Sequence, residues 1–183
     1  MFDTDLSNRH QLKTLTKERH SRTETTWFAG GRFEGQGHYI EWLGAMLDVH
    51  CDLGLRAATR LGRQDDLTQE HLRFACLTKD LKRDGSPLTA ESDETESWAW
   101  GVQYALNGSA LGAGVLLKHD VSHHDWPIAY LQCMTGFAKS GALKRFFDDL
   151  DAQDLQMTDA CAGALAVFDA LAVTKRSAPN QVR

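Results

Sequence analysis

GVQYALNGSALGAGVLLKH, residues 101–119, sets four glycines into a stretch whose apolar spacing is helical. Gly101, Ala105, Gly108 and Gly112 share one face of that helix, and Gly114 lies close by. A glycine inside a helix costs about 1 kcal/mol relative to alanine, so four cost on the order of 4 kcal/mol. A domain stable by roughly 5–15 kcal/mol keeps such a run only where bare backbone is required. Three requirements compete: a tight crossing of helices through small residues, a membrane dimer motif, or a flat ligand against the backbone. The membrane reading fails on charge, because Asp93–Glu96 and Lys118–Asp120 flank the segment and Asn107 interrupts it.

A second stretch, LKTLTKERHSRTE at residues 12–24, is unusual for the opposite reason. Lys13, Lys17, His20 and Glu24 recur at spacings of four, three and four, which places them on one helical face. The opposite face offers little beyond Leu12 and Leu15 for docking. Glu24, one turn past His20, is placed to hold one imidazole nitrogen and leave the other free for a metal. Two lysines on the same side suit the carboxylates of a bound molecule. The plain alternative is a solvated face with ion pairs contributing about 0.2–0.5 kcal/mol each. A planar macrocycle between this helix and the glycine-lined one would account for both stretches at once.

The remainder of the chain reads as helix nearly throughout. Tyr39, Leu43, Met46, His50, Leu53 and Ala57 recur at three and four, which predicts one long core helix. A further helix is expected over 68–82, stopped by Asp84-Gly85-Ser86-Pro87. The glycine-rich helix is expected over 92–120 with Ser92 as its N-cap, and Asp93, Glu94 and Glu96 complementing its positive end. Pro127 is expected to open another helix, followed by a short one over 141–151 and a last one over 155–174. No stretch alternates with period two, and there is no internal repeat. The expectation is an all-α bundle of about seven or eight helices. It forms a single domain over 1–183, with an ordered core over about 6–172 and a flexible tail over 176–183.

Charge and composition exclude several classes. The net charge is −5 with scattered lysines and arginines, which argues against a nucleic-acid partner. No apolar run is long enough for a bilayer and the opening residues are too polar for a secretory signal, so cytoplasmic residence and no membrane partner are expected. Cys51, Cys76, Cys133 and Cys161 form no CxxC pair, and three lie in apolar helical stretches, which reads as buried free thiols. His119 and His123 at i and i+4 could hold zinc, although histidines near a helix C-terminus commonly just complement its dipole. His50 reads as a hydrogen-bonded core histidine. Trp42, Trp98, Trp100 and Trp126 read as core or pocket wall. Helical oxygen enzymes with two metals need paired Glu-x-x-His motifs, and the chain has none.

The two unusual stretches together resemble the heme oxygenases, in particular the bacterial biliverdin-producing branch. The opening pattern of that family, L-K-x-x-T-K-x-x-H-x-x-x-E, is matched by Leu12, Lys13, Thr16, Lys17, His20 and Glu24. The bacterial distal pattern, Y-x-x-x-G-S-x-L-G, is matched by Tyr104, Gly108, Ser109, Leu111 and Gly112. The resemblance implies a heme sandwiched between the first helix and the glycine-rich one. It makes His20 the iron ligand, with Glu24 bonded to its far nitrogen. Lys13, Lys17, Tyr104 and Lys144 become contacts of the heme, and Gly108 and Gly112 the flexible distal backbone.

It further implies that heme is both cofactor and substrate, cleaved with dioxygen to biliverdin, carbon monoxide and ferrous iron. Electrons would come from a ferredoxin or a reductase, and a monomer is expected. Many family members place an aspartate just after the first distal glycine. Here that position is Ser109, leaving Asn107 and Ser109 to hold waters for proton delivery. A non-catalytic carrier or sensor of heme or bilin, and a structural relative without heme, stand as alternatives.

Overall fold

In the computed structural model, described over residues 6–28, 32–85, 93–121 and 124–177 (backbone alone for 173–177), the chain is all-helical. Eight α-helices and one π turn occur among the described residues, with no strand. None of these helices is long and apolar enough to cross a membrane.

Helix α1 (Asn8–Trp27) starts at Ser7, whose hydroxyl accepts from the His10 amide. It buries Leu12, Thr16, Thr23 and Trp27 against α8 (Met157–Ser177), while Leu15, expected to help dock it, is exposed. Threonine serves at two of these positions because its hydroxyl turns back onto the helix. Thr16 donates to the Leu12 carbonyl at 2.7 Å and Thr23 to that of Arg19 at 3.1 Å, so neither is buried unsatisfied. Trp27 adds the large apolar surface that the stripe lacks and donates its indole N–H to the Leu171 carbonyl.

The long helix expected over 39–57 is interrupted. It runs as α2 (Gln36–Val49), a π turn (His50–Gly54) and α3 (Leu55–Leu61). The wide turn carries the backbone past the buried carboxylate of Glu70 on α4 (Gln64–Leu81), and a Cβ at Gly54 would meet Glu70 Oε2 at 2.5 Å. The Gly54 carbonyl is recruited by Gln103 Nε2 at 3.1 Å. Of the expected stop after α4, only Asp84 and Gly85 fall among the described residues.

Helix α5 (Glu96–His119) runs unbroken through the glycine-rich stretch and forms the centre of the bundle, packed against α8, α3 and α6 (Ala129–Lys139). Its cap is Thr95, which accepts from the Trp98 amide and donates to Asp159 on α8. Ser92, expected in that role, lies outside the described residues. Helix α6 begins two residues after Pro127, and its cap comes from another helix: the Asp80 carboxylate of α4 accepts from the amides of Ala129 and Tyr130 at 2.9 and 2.8 Å. Helix α7 (Ala142–Asp151) follows a left-handed Gly141. The expected tail beyond Ser177 and His123 of the suggested zinc pair are outside the described residues, among which no cluster of three or more histidines, cysteines or carboxylates able to hold a metal occurs. All four cysteines are free, and each is half-buried rather than buried.

Candidate functional site

Helices α1 and α5 both pack along α8, yet they scarcely touch one another. Between them, closed at the back by α2 and α6, lies a cavity of about 700 Å³. That is the size of pocket that takes an organic cofactor. Its walls are mostly apolar, among them Trp42, Met46, Leu106, Met134, Phe168 and Leu171. Ionic groups enter on the α1 side: Lys13 and Lys17 with Arg9, which also lies 3.9 Å from Asp151, and Glu24 as the one acid among the lining residues. A chain of net charge −5 thus presents a locally cationic rim.

The helical spacing of the α1 residues survives folding. Lys13, Lys17, His20 and Glu24 all line this cavity, and neither lysine is ion-paired among the described residues. The His20 ring meets Phe168 edge-on at 5.4 Å, which fixes its plane. Its Nδ1 lies 3.5 Å from Glu24 Oε2, so Nε2 points away from the carboxylate. His20 keeps about half its side chain accessible, which suits a group meant to meet a ligand.

Across the cavity, the glycines of α5, together with Gly163 of α8, divide into two kinds. At Gly101 a Cβ would stand 1.8 Å from the Ala160 carbonyl oxygen of α8, and at Gly163 one would stand 2.1 Å from the Trp98 carbonyl of α5. These are the tight helix crossing. At Gly108 and Gly112 a Cβ would meet nothing within 4 Å, and both line the cavity. The tight crossing therefore accounts for Gly101, while Gly108 and Gly112 leave open backbone on the cavity.

Ser109 and Tyr104 also line the cavity. Tyr104 is hydrogen-bonded to Thr16 of α1, and burial pushes its phenol up. Asn107 does not reach the cavity: it is buried behind α5, with its oxygen on Arg73 and its nitrogen on Gln103. Lys144 is also not brought there. It sits exposed on α7 and pairs one turn along with Asp148 at 2.5 Å.

Sequence reasoning overlooked a buried chain of polar groups behind the α5 side. Ser109, whose hydroxyl donates to the Leu106 carbonyl at 2.7 Å, is hydrogen-bonded to Tyr130. The Tyr130 hydroxyl lies 2.9 Å from His50 Nε2, and His50 Nδ1 lies 2.7 Å from Glu70 Oε2. Arg73 donates to Glu70 Oε1 at 2.6 Å and to Asn107. His50, Glu70, Arg73 and Tyr130 are all essentially inaccessible to solvent, yet Tyr130 borders the cavity. Burial alone would raise the Glu70 pKa. Attraction to His50 and Arg73, with their hydrogen bonds, outweighs burial and holds it at about 2. The one local signal was His50 on an apolar stripe; its partners come from other helices.

No family model matches the chain, and no curated protein does. Among solved structures it is similar to the heme oxygenase from Neisseria meningitidis, described in its NO- and CO-bound forms. The likeness covers 93% of this chain and 91% of that one, with a TM-score of 0.69 and 22% sequence identity. The chain has the heme oxygenase fold.

Proposed function

We propose that the cavity binds heme and that the protein is a heme oxygenase, cleaving heme to biliverdin, carbon monoxide and ferrous iron. The observation that carries this is the facing of His20 on α1 by the open glycine backbone of Gly108 and Gly112 across one mostly apolar cavity. A metalloporphyrin needs a nitrogen donor on one side, room close to the backbone on the other, apolar walls and cations for its carboxylates. Each requirement has a residue to meet it: His20 Nε2; Gly108 and Gly112; Trp42, Met46 and Phe168; and Lys13, Lys17 and Arg9. When bound, heme supplies both the iron that activates dioxygen and the ring that is cleaved, with electrons from an external ferredoxin or reductase.

The residues of the chain contribute orientation and protons. Glu24 keeps the His20 ring turned and its Nε2 free. On the opposite side, Ser109 presents a hydroxyl in place of a carboxylate. It is hydrogen-bonded to Tyr130, whose hydroxyl meets His50 Nε2, while His50 Nδ1 meets the Glu70 carboxylate. A hydrogen-bonded chain thus runs from the cavity wall to a buried carboxylate, at the place where an aspartate would otherwise organise proton delivery.

Titration with hemin, followed by ascorbate or a ferredoxin system in air, tests the proposal. Stoichiometric binding and decay of the Soret band into biliverdin absorbance is the expected result. A Soret band that persists under reductant and air would favour the alternative of a carrier or sensor, which the serine at position 109 supports. Failure to bind hemin would remove heme from the account.

A further inference from the structure

Three aromatic rings run in a near-parallel stack from the cavity to the outside. Trp42, which lines the cavity, lies over Tyr39 with ring centroids 6.0 Å apart and planes 23° from parallel. Tyr39 lies over Trp126 at 5.4 Å and 20°. Trp126 is half-buried and carries on its outer face the exposed ring of His124, at 4.5 Å and 16°. The neighbouring aromatics meet this stack differently: Phe28, Phe33 and Tyr130 approach Trp42 and Tyr39 edge-on or tilted. Near-parallel rings at these separations set three side chains in series, close enough for electron transfer from each to the next, from a wall of the cavity to a half-buried residue at the surface.

An indole is hard to reduce and comparatively easy to oxidise. The stack is therefore no station for electrons arriving from a low-potential donor, but it suits an oxidising equivalent on its way out. Tyr39 cannot hold that equivalent for long, because its hydroxyl donates to the Pro127 carbonyl at 2.7 Å and that oxygen takes no proton. It serves as a bridge between two indoles. Trp126, at the surface, can release its ring proton to water.

We infer that Trp42, Tyr39 and Trp126 form an exit path for oxidising equivalents produced in the cavity by peroxide, ending in sacrificial oxidation of Trp126. This rests on the heme reading of the cavity. The side chains spared are Met46 and Met134, which line the same cavity and whose thioethers oxidise readily. The balance is closed within the chain. Hydrogen peroxide takes two electrons and two protons to give two waters. Trp126 supplies both electrons in succession, losing two protons and capturing one water, so that the net change is one oxygen added to its ring and one water formed.

The test uses hemin-loaded protein treated with hydrogen peroxide without reductant, and reads the site of added oxygen by peptide mass spectrometry and the radical by electron paramagnetic resonance. In the unaltered chain the expected result is a tryptophanyl radical and an added oxygen on Trp126, absent when hemin is omitted. Trp126→Phe is expected to move the oxygen to Trp42, Met46 and Met134. Tyr39→Phe, which keeps the bridging ring, is expected to leave the pattern as it was. Oxidation confined to the cavity residues in the unaltered chain, equal oxidation without hemin, or a Trp126→Phe variant with no added damage in the cavity would each overturn the path. If hemin yields no Soret band, the heme reading itself has failed and the path falls with it. A normal Soret band with any of the other adverse results overturns the path alone.

Discussion

A Cβ placed on Gly101 would stand 1.8 Å from the carbonyl oxygen of Ala160. The main chains of α5 and α8 meet here with no space for a methyl group. Two and three turns further along α5, Gly108 and Gly112 face open cavity instead. The same substitution is therefore expected to act in opposite senses at positions of equal sequence character. Gly101→Ala should destabilise by about 3 kcal/mol or more, because the obstacle is a backbone carbonyl that cannot swing aside. Gly112→Ala should gain up to about 1 kcal/mol of helix propensity while weakening hemin binding. Chemical denaturation and hemin titration of both variants separate the two roles, and unchanged affinity in Gly112→Ala would show that no ligand lies against that turn.

Glu70 couples stability to acid. Its folded pKa, at about 2, lies below the ordinary value of 4.5, so the stability it contributes is fully present above 4.5 and disappears as pH falls toward 2. A change of that size corresponds to about 3 kcal/mol. Glu70→Gln should be less stable at neutral pH by about 3–5 kcal/mol, since Arg73 and His50 lose a buried counter-charge. Between pH 4.5 and 2 it should lose less stability than the unaltered chain does. Denaturation midpoints across that range check both statements, and parallel acid limbs for the two proteins would contradict the assignment.

His20 is half exposed and bonded only at its margin, so His20→Ala should change stability by no more than about 0.5 kcal/mol. Its effect is expected in the spectrum of the hemin complex, where the nitrogen-ligand signature should vanish and return on addition of imidazole. Retention of the original spectrum in the variant would assign the iron to another ligand.

The lysines offer a comparison within one residue type. Lys13 and Lys17 border the cavity without an ion-pair partner among the described residues, whereas Lys144 is spent on Asp148 away from it. Replacing either of the first two by alanine should weaken hemin binding by about 1 kcal/mol or less, and more at low salt than at high. Lys144→Ala should leave the affinity unchanged. Equal losses in all three would mean that bulk charge, not placement at the rim, attracts the ligand.

Much of the site was legible because it is local. Lys13, Lys17, His20 and Glu24 lie within twelve residues on one helix, and helical geometry alone puts them side by side. The all-helical fold was legible for the same reason, as apolar residues recur at three and four along the chain after α1. What the pattern left out has long-range causes. The π turn at His50–Gly54 lies where Glu70, from another helix, packs against its backbone. The cap of α6 is Asp80, about fifty residues earlier in the chain. Lys144 shows the converse: a residue that the family resemblance assigned to the site has a neighbour, one turn along its own helix, that already holds it.

By itself, then, the sequence determined what one helix can determine: the shared face of Lys13, Lys17, His20 and Glu24 on α1, the bare backbone of α5, and the helical character of the elements between them. Helical hydrogen bonds and side-chain periodicity act over four residues, so these features need no partner to be specified. Only the tertiary structure decided which glycines serve the crossing and which the cavity, since that depends on where α8 passes. It alone joined Ser109, Tyr130, His50, Glu70 and Arg73 into one chain from the cavity to the core. A buried polar group is stable only with partners, and here those partners are supplied by helices distant in sequence, meeting where the packing of the bundle brings them together.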